Sequence, residues 1–340
     1  MNSSRDNDIP MSRKDMDESE EPFLPTPVQS RGEKQHPVSL IAAVVSFYFV
    51  ISLSVVFLNK IIMSGSSDFP YALFVTWYQL VVALILLLIW ASLGKSIIPP
   101  YEFNIAIAKK VAPLTFVYVG MLVMNNLCLK YVHVTFYQVA RSLSINFTIL
   151  FTLLILHKKT SLPALVACGI VFSGFVIGSY GEINFSWPGV FYGVGSSAFV
   201  ALYGIYVQKT LAVVDNNQWK LLHYNTTLAI IFLSPLLLLS GEITDIMETS
   251  EIIYTSSFWV LMTITGVTGF GINIAMFLQV KYTSALTNTI SGTAKSCVQT
   301  VLAAMIFKNE ISALNGLGIL LALIGSGYYS WVRYQERISK

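Results

Sequence analysis

Residues 283–307 read TSALTNTISGTAKSCVQTVLAAMIF, a stretch long enough to cross a bilayer and carrying one charge, Lys295. A spanning helix needs about 20 predominantly apolar residues. A lysine near its centre costs roughly 2.5–3.5 kcal/mol on insertion scales. A chain that keeps Lys295 there needs a partner for the charge, and the rest of the sequence says which partners are absent.

The chain has 340 residues, of which 54% are hydrophobic and 11% charged. Soluble domains carry about 25% charged residues, so the composition excludes a soluble globular class and predicts an all-α polytopic membrane protein. Residues 1–37 are polar, mixed in charge and contain proline, which predicts a disordered tail. Nothing apolar precedes Val38, so the first span is expected to act as an uncleaved signal-anchor. Cys128, Cys168 and Cys297 lie apart in apolar segments and form neither a disulfide framework nor a metal-ligand motif.

Ten apolar segments qualify as transmembrane helices: Val38–Ile62, Pro70–Leu93, Val111–Leu129, Val134–Leu156, Leu162–Tyr180, Trp187–Val207, Leu221–Leu239, Phe258–Val280, Thr283–Phe307 and Ala313–Val332. Residues 38–332 therefore form a ten-helix membrane domain, and 333–340 a short C-terminal tail. Placing both tails in the cytosol puts Lys95, Lys109, Lys110, Lys158, Lys159, Lys209, Lys220, Lys281, Arg333 and Arg337 there too, leaving Lys60, Lys130 and Lys308 opposite. The loop GEITDIMETSEIIY on that opposite side has acids and no base. Cytosolic termini follow from this asymmetry.

Ten spans divide into five and five, and an odd number per half sets the halves in opposite directions, as in inverted-repeat transporters. VARSLSINFTILFTLLILHKKTSLPALVACGIVFSGF (139–175) and GTAKSCVQTVLAAMIFKNEISALNGLGILLALIGS (292–326) echo each other: a base followed by Ser, an apolar run, a Lys-containing turn, a Gly-containing helix. Two generic membrane hairpins would give a similar echo. Gly174-x-x-x-Gly178 and Gly189-x-x-x-Gly193 supply faces for close helix approach.

Two bases lie well inside spans, Arg141 and Lys295, while all eighteen acids fall in tails or loops. Such bases need water, backbone carbonyls or an anionic solute. The functional expectation is a central anion site; the alternative is that each base steadies a helix. Intramembrane proton relays use Asp, Glu or His, and here only His223 lies within a span, near its end. Exchange of anions is therefore expected over proton symport. Asn125 and Asn126 are expected to line the cavity. Tyr224 beside Asn225 pairs an aromatic ring with an amide, a combination that stacks on a nucleobase and bonds its edge, although Asn also joins helices by hydrogen bonds. No D-x-D or H-E-x-x-H occurs, which argues against a membrane glycosyltransferase or metalloenzyme, and no cofactor is expected.

VVFLNK (55–60), NNLCLKYV (125–132), FY-x-V-x-RSL (136–143) and SGTAKSC-x-QTVLA (291–303) in this order resemble the nucleotide-sugar transporters of the drug/metabolite superfamily, over about 39–331. The resemblance implies a ten-helix carrier of the Golgi membrane, or of the ER. It would import a GDP-sugar, GDP-fucose being the expected cargo, in exchange for GMP. It places a phosphate- and sugar-contacting motif on Gly292, Thr293, Ala294 and Lys295, with the Ser291–Ala294 stretch letting ligand approach the helix backbone, and a guanine-recognising motif on His223, Tyr224, Asn225 and Thr226. His223 and Thr226 depart from the aromatic and second amide of that motif. Arg141 and Lys295 would serve a sugar phosphate equally well, and the sequence leaves monomer and homodimer both open.

Overall fold

The computed structural model describes residues 38–64, 69–93, 103–157, 160–181, 186–282, 285–307 and 312–338. The expected 1–37 tail lies outside them. The helices are α1 (Val38–Ser64), α2 (Ala72–Ser92), α3 (Ile105–Tyr131), α4 (Val134–Ser142), α5 (Ser144–Leu156), α6 (Leu162–Tyr180), α7 (Trp187–Leu211), α8 (Gln218–Leu239), α9 (Glu242–Thr249), α10 (Ser256–Tyr282), α11 (Ala285–Phe307) and α12 (Ala313–Ile338). No strand occurs among the described residues.

Local chemistry sets the helix starts. The Asn104 side chain accepts from the Ala106 N–H at α3, and Asn217 accepts from Trp219 and Lys220 at α8, satisfying orphan donors. Pro163 and Pro188 sit in the first turns of α6 and α7, where a missing N–H is harmless. α3 begins before the expected Val111. α12 continues past the expected Val332, its last turn held by Arg333 donating to Glu336 at 2.9 Å and to the Tyr329 hydroxyl at 3.2 Å.

Nine segments among the described residues are long and apolar enough to cross a membrane. α4 and α5 together make one of them, Val134–Ile155. In α11 the apolar run is only Ala294–Ile306, but 23 residues reach about 34 Å at 1.5 Å per residue, enough for a tenth crossing. α9 is a short surface helix that the sequence reading passed over.

The two halves exchange places in the packing. α3 lies along α7 as α10 lies along α1; α3 meets α8 as α10 meets α2; α5 meets α7 as α11 meets α1. Each pair maps onto the other when α1, α2, α3, α4–α5 and α6 are swapped for α7, α8, α10, α11 and α12. Five crossings per half make the swap an inversion, the five-plus-five repeat expected. Ten crossings also bring both termini to one end of the bundle, called here the terminal end, with the far end opposite.

Small residues fix the tightest crossing, α6 on α12. A Cβ at Gly174 would stand 2.6 Å from the Ala322 nitrogen, and one at Gly318 would collide with the Gly178 backbone. Gly193 of α7 abuts Ala140 of α4 in the same manner, with 2.9 Å to its Cβ. At the far end Ile62, Met63, Phe69, Ala72, Cys128, Leu129, Val134, Phe136, Tyr137, Ile246, Phe258, Met262 and Ala303 form one buried cluster. It closes that end over the middle of the bundle.

Candidate substrate-binding site

The expected continuous fourth span is broken at Leu143, two residues past Arg141. The Ala140 carbonyl is claimed twice outside the regular ladder, by the Leu143 N–H at 3.1 Å and by Ser197 Oγ of α7 at 2.6 Å. Ser142 Oγ turns back onto the Val139 carbonyl at 2.6 Å. Irregular backbone at membrane depth is tolerated where it is buried in protein or lines a cavity. Here the break puts a helix end beside the guanidinium.

Arg141 donates from Nη1 to the Tyr137 hydroxyl at 2.6 Å, and Tyr137 donates to Asn125 Oδ1 at 3.4 Å. The guanidinium carbon also lies 5.9 Å from the Tyr137 ring centroid. Lys295 Nζ sits 5.9 Å from the centroid of Tyr48 on α1, within cation–π range. The Arg141 charge acts on both Lys295 and Tyr48, so the two bases share one site between α1, α4 and α11. Both are half-buried. Among the described residues the ion pairs are Lys220–Asp215 and Arg333–Glu336, and no carboxylate meets either central base.

Ser291, Lys295, Gln299 and Ala303 follow at four-residue spacing along α11, which places them on one face. Ser291 is 4% exposed. A Cβ at Gly292 meets nothing within 4 Å, so the α11 backbone is approachable beside Lys295. The Thr293 side chain lies outside the described residues. Asn125 joins Arg141 through Tyr137. Asn126 belongs to a second network nearer the far end: it donates to Thr76 at 2.7 Å and accepts from Asn59 at 3.3 Å, while Gln79 donates to Asn59 at 2.7 Å. Beyond it Lys60, 8% exposed, donates to the Leu129 and Val132 carbonyls at 2.7 Å each.

Tyr224 is held against α3 in this structure, and Asn225 beside it on α8 is 2% exposed. Tyr224 is 1% exposed, stacked on Phe103 at 5.7 Å, and its hydroxyl accepts from the Asn104 N–H at 2.8 Å. It packs with Val111, Leu114, Val214 and Leu228 between α3 and α8. A buried phenol must bond its hydroxyl, and the N–H of Asn104, the N-cap of α3, supplies the donor. The ring expected to face a nucleobase is, in this conformation, committed to α3. Tyr48, Tyr137, Lys60 and Gln299 were missed. Only one signal pointed to two of them: Tyr137 and Gln299 stand four residues from Arg141 and Lys295.

Outside the spans, Glu242 of α9 accepts from the Phe74 N–H at 2.9 Å and the Leu73 N–H at 3.4 Å at the start of α2. Burial raises its pKa, against those two hydrogen bonds and the attraction of Lys130. Burial, with Lys60 nearby, lowers that of His133.

A helical inverted repeat enclosing unneutralised bases at mid-bundle, beside a broken helix, defines a secondary carrier for anions. The chain belongs to the Triose-phosphate Transporter family, which it matches over residues 39–330. It is 50% identical to "GDP-fucose transporter 1" of Dictyostelium discoideum over 88% of this chain and 82% of that protein. It is 40% identical to the protein of the same name from Mus musculus, over 87% and 84%. It is 36% identical to "GDP-fucose transporter, Golgi" of Drosophila melanogaster, over 86% and 90%. One solved crystal structure, 11% identical, superposes with a TM-score of 0.52 over 85% of this chain and 98% of the other, a likeness of fold.

Proposed function

We propose that this chain carries GDP-fucose across the Golgi membrane into the lumen in exchange for GMP, with both termini in the cytosol. The observation that carries the reading is the pair Arg141 and Lys295, sharing one site with no carboxylate to meet them among the described residues. The names of the relatives supply the cargo class, and the excess of Lys and Arg in the terminal-end loops supports the orientation.

A nucleotide diphosphate sugar carries about two negative charges and a nucleoside monophosphate about 1.5 to 2 near neutral pH. Either neutralises the two bases, so one-for-one exchange moves little net charge. An empty cavity leaves the bases facing each other in a medium of low dielectric, where like charges repel far more strongly than in water. Crossing without cargo is disfavoured for that reason, which makes exchange obligatory. Gly292 leaves room for the phosphates beside the α11 backbone, and Asn125 lies within one hydroxyl of Arg141. Tyr224 and Asn225 enter this reading as groups for the base only if α8 parts from Phe103 and Asn104 during the cycle.

The experiment is uptake of labelled GDP-fucose into proteoliposomes with and without GMP inside. Internal GMP is expected to stimulate uptake strongly, and Arg141→Ala and Lys295→Ala to abolish it with protein levels retained. Equal uptake by empty vesicles, or full transport by both variants, would overturn the proposal. Competition by an unlabelled triose phosphate as strong as that by GMP would redirect the cargo assignment to a sugar phosphate.

A further inference from the structure

Gln299 stands one turn beyond Lys295 toward the far end, about 6 Å along the helix axis. It is 0% exposed, and among the described residues neither its amide nitrogen nor its amide oxygen has a hydrogen-bond partner. A buried amide left so carries its full desolvation penalty, a state that native interiors avoid unless a group has a use elsewhere in the cycle.

Polar groups on α11 itself, on α1 and α4 packed against it, and on α2 and α3 beyond are already committed. Ser296 and Thr300 on the same helix donate to the Gly292 and Ser296 carbonyls. Tyr137 is held between Arg141 and Asn125. Asn59, Gln79, Asn126 and Thr76 bond one another. The next residue on the Gln299 stripe, Ala303, belongs to the cluster that closes the far end. Gln299 therefore forms the boundary between the basic site and that closed end, on the stripe that carries Lys295.

We propose that Gln299 is a specificity-determining residue that takes the hydroxyl groups of the cargo's sugar. This rests on the assignment of the phosphates to Arg141 and Lys295. An amide presents donor and acceptor together, matching hydroxyls, which are both, and matching phosphate oxygens only through its donors. With the diphosphate on the two bases, a sugar attached beyond it and directed toward the far end reaches the depth of Gln299. The sugar thereby supplies the partners that the amide lacks when the cavity is empty.

The test is competition by GDP-fucose, by GDP and by GMP against labelled GMP in exchange-loaded proteoliposomes, for the wild type and Gln299→Leu. The advantage of GDP-fucose over GDP isolates the sugar. Gln299→Leu is expected to shrink that advantage by about five-fold or more, the scale of one or two neutral hydrogen bonds. Gln299→Asn, which keeps the amide but withdraws it by one methylene, is expected to shrink it less, and it carries the test if the leucine variant does not fold. An advantage unchanged within two-fold in a transporting variant would overturn the proposal while leaving the phosphate assignment intact. Failure of GMP and GDP to compete in the wild type would instead overturn the cargo assignment beneath it.

Discussion

Arg141 donates to the hydroxyl of Tyr137 at 2.6 Å, one turn back on the same helix. The guanidinium is thus aimed by a side chain that the cargo does not have to touch. Arg141 ends α4 just before the one-residue break at Leu143, and Tyr137 is the side chain that fixes its direction. Tyr137→Phe keeps the packing of the ring and removes the oxygen. The expected result is a drop in exchange of about ten-fold, as for one lost hydrogen bond to a charged group, with melting temperature nearly unchanged. The KM for GDP-fucose should carry most of the change. A variant with unchanged exchange kinetics would show that Arg141 needs no such guide.

Gly318→Ala tests the tightest crossing between the halves, α6 on α12. The new methyl would collide with the Gly178 backbone, and backbone cannot swing aside as a flexible side chain does. Overpacking of this kind costs about 1–3 kcal/mol. The measurement is thermal unfolding in detergent, where Gly318→Ala should melt several degrees lower. Gly269→Ala, at a position where a Cβ meets nothing within 4 Å, serves as the control and should melt like the wild type.

The spans were legible because the apolar window is a local property: Leu162–Tyr180 and the start of α7 at Trp187 agree with the sequence reading to the residue. What was not legible depends on partners distant in the chain. Nothing in FYQVARSLS announces a break, since it requires Ser197 of α7 to claim the Ala140 carbonyl. Lys60 counted as a loop-side charge because it closes an apolar run; the fold instead turns it onto the C-terminal carbonyls of α3. Tyr224 resembled a base-stacking residue by its neighbours in sequence, whereas its ring was decided by Phe103 and its hydroxyl by Asn104. Arg141 and Lys295 were legible because a charge in lipid is anomalous wherever it points.

Lys60 provides a lock for the closed far end. Its ammonium bridges α1 to the last carbonyls of α3, where cations are favoured by the helix dipole. Lys60→Met preserves length and removes both donors, leaving two buried acceptors without them. Hydrogen bonds to charged groups contribute about 1.5–3 kcal/mol each, part of which the apolar replacement returns by avoiding a buried charge. Net loosening is expected, and Cys128 reports it. That thiol is 0% exposed within the far-end cluster. In a background with Cys168 and Cys297 replaced by Ser, Lys60→Met should speed maleimide labelling of Cys128 by about ten-fold, the effect of a 1.4 kcal/mol shift toward open forms. Labelling at the wild-type rate would show that the apolar cluster alone closes that end.

Glu242 gives the protein a pH dependence whose sign is fixed by burial. Its pKa is raised above the ordinary 4.5, because removal from water outweighs the two N–H donors of α2 and the attraction of Lys130. A raised folded-state value means that folding favours the protonated carboxyl. The corresponding stability is fully present below 4.5 and is lost as pH rises through the higher folded value. Glu242→Gln resembles the protonated form at every pH and loses this dependence. Melting curves of both proteins between pH 4 and pH 7 should therefore show the variant gaining on the wild type as pH rises. If the wild type instead gains on Glu242→Gln toward pH 7, the hydrogen bonds to Phe74 and Leu73 outweigh burial, and α9 clamps the start of α2 through a carboxylate that prefers its charge.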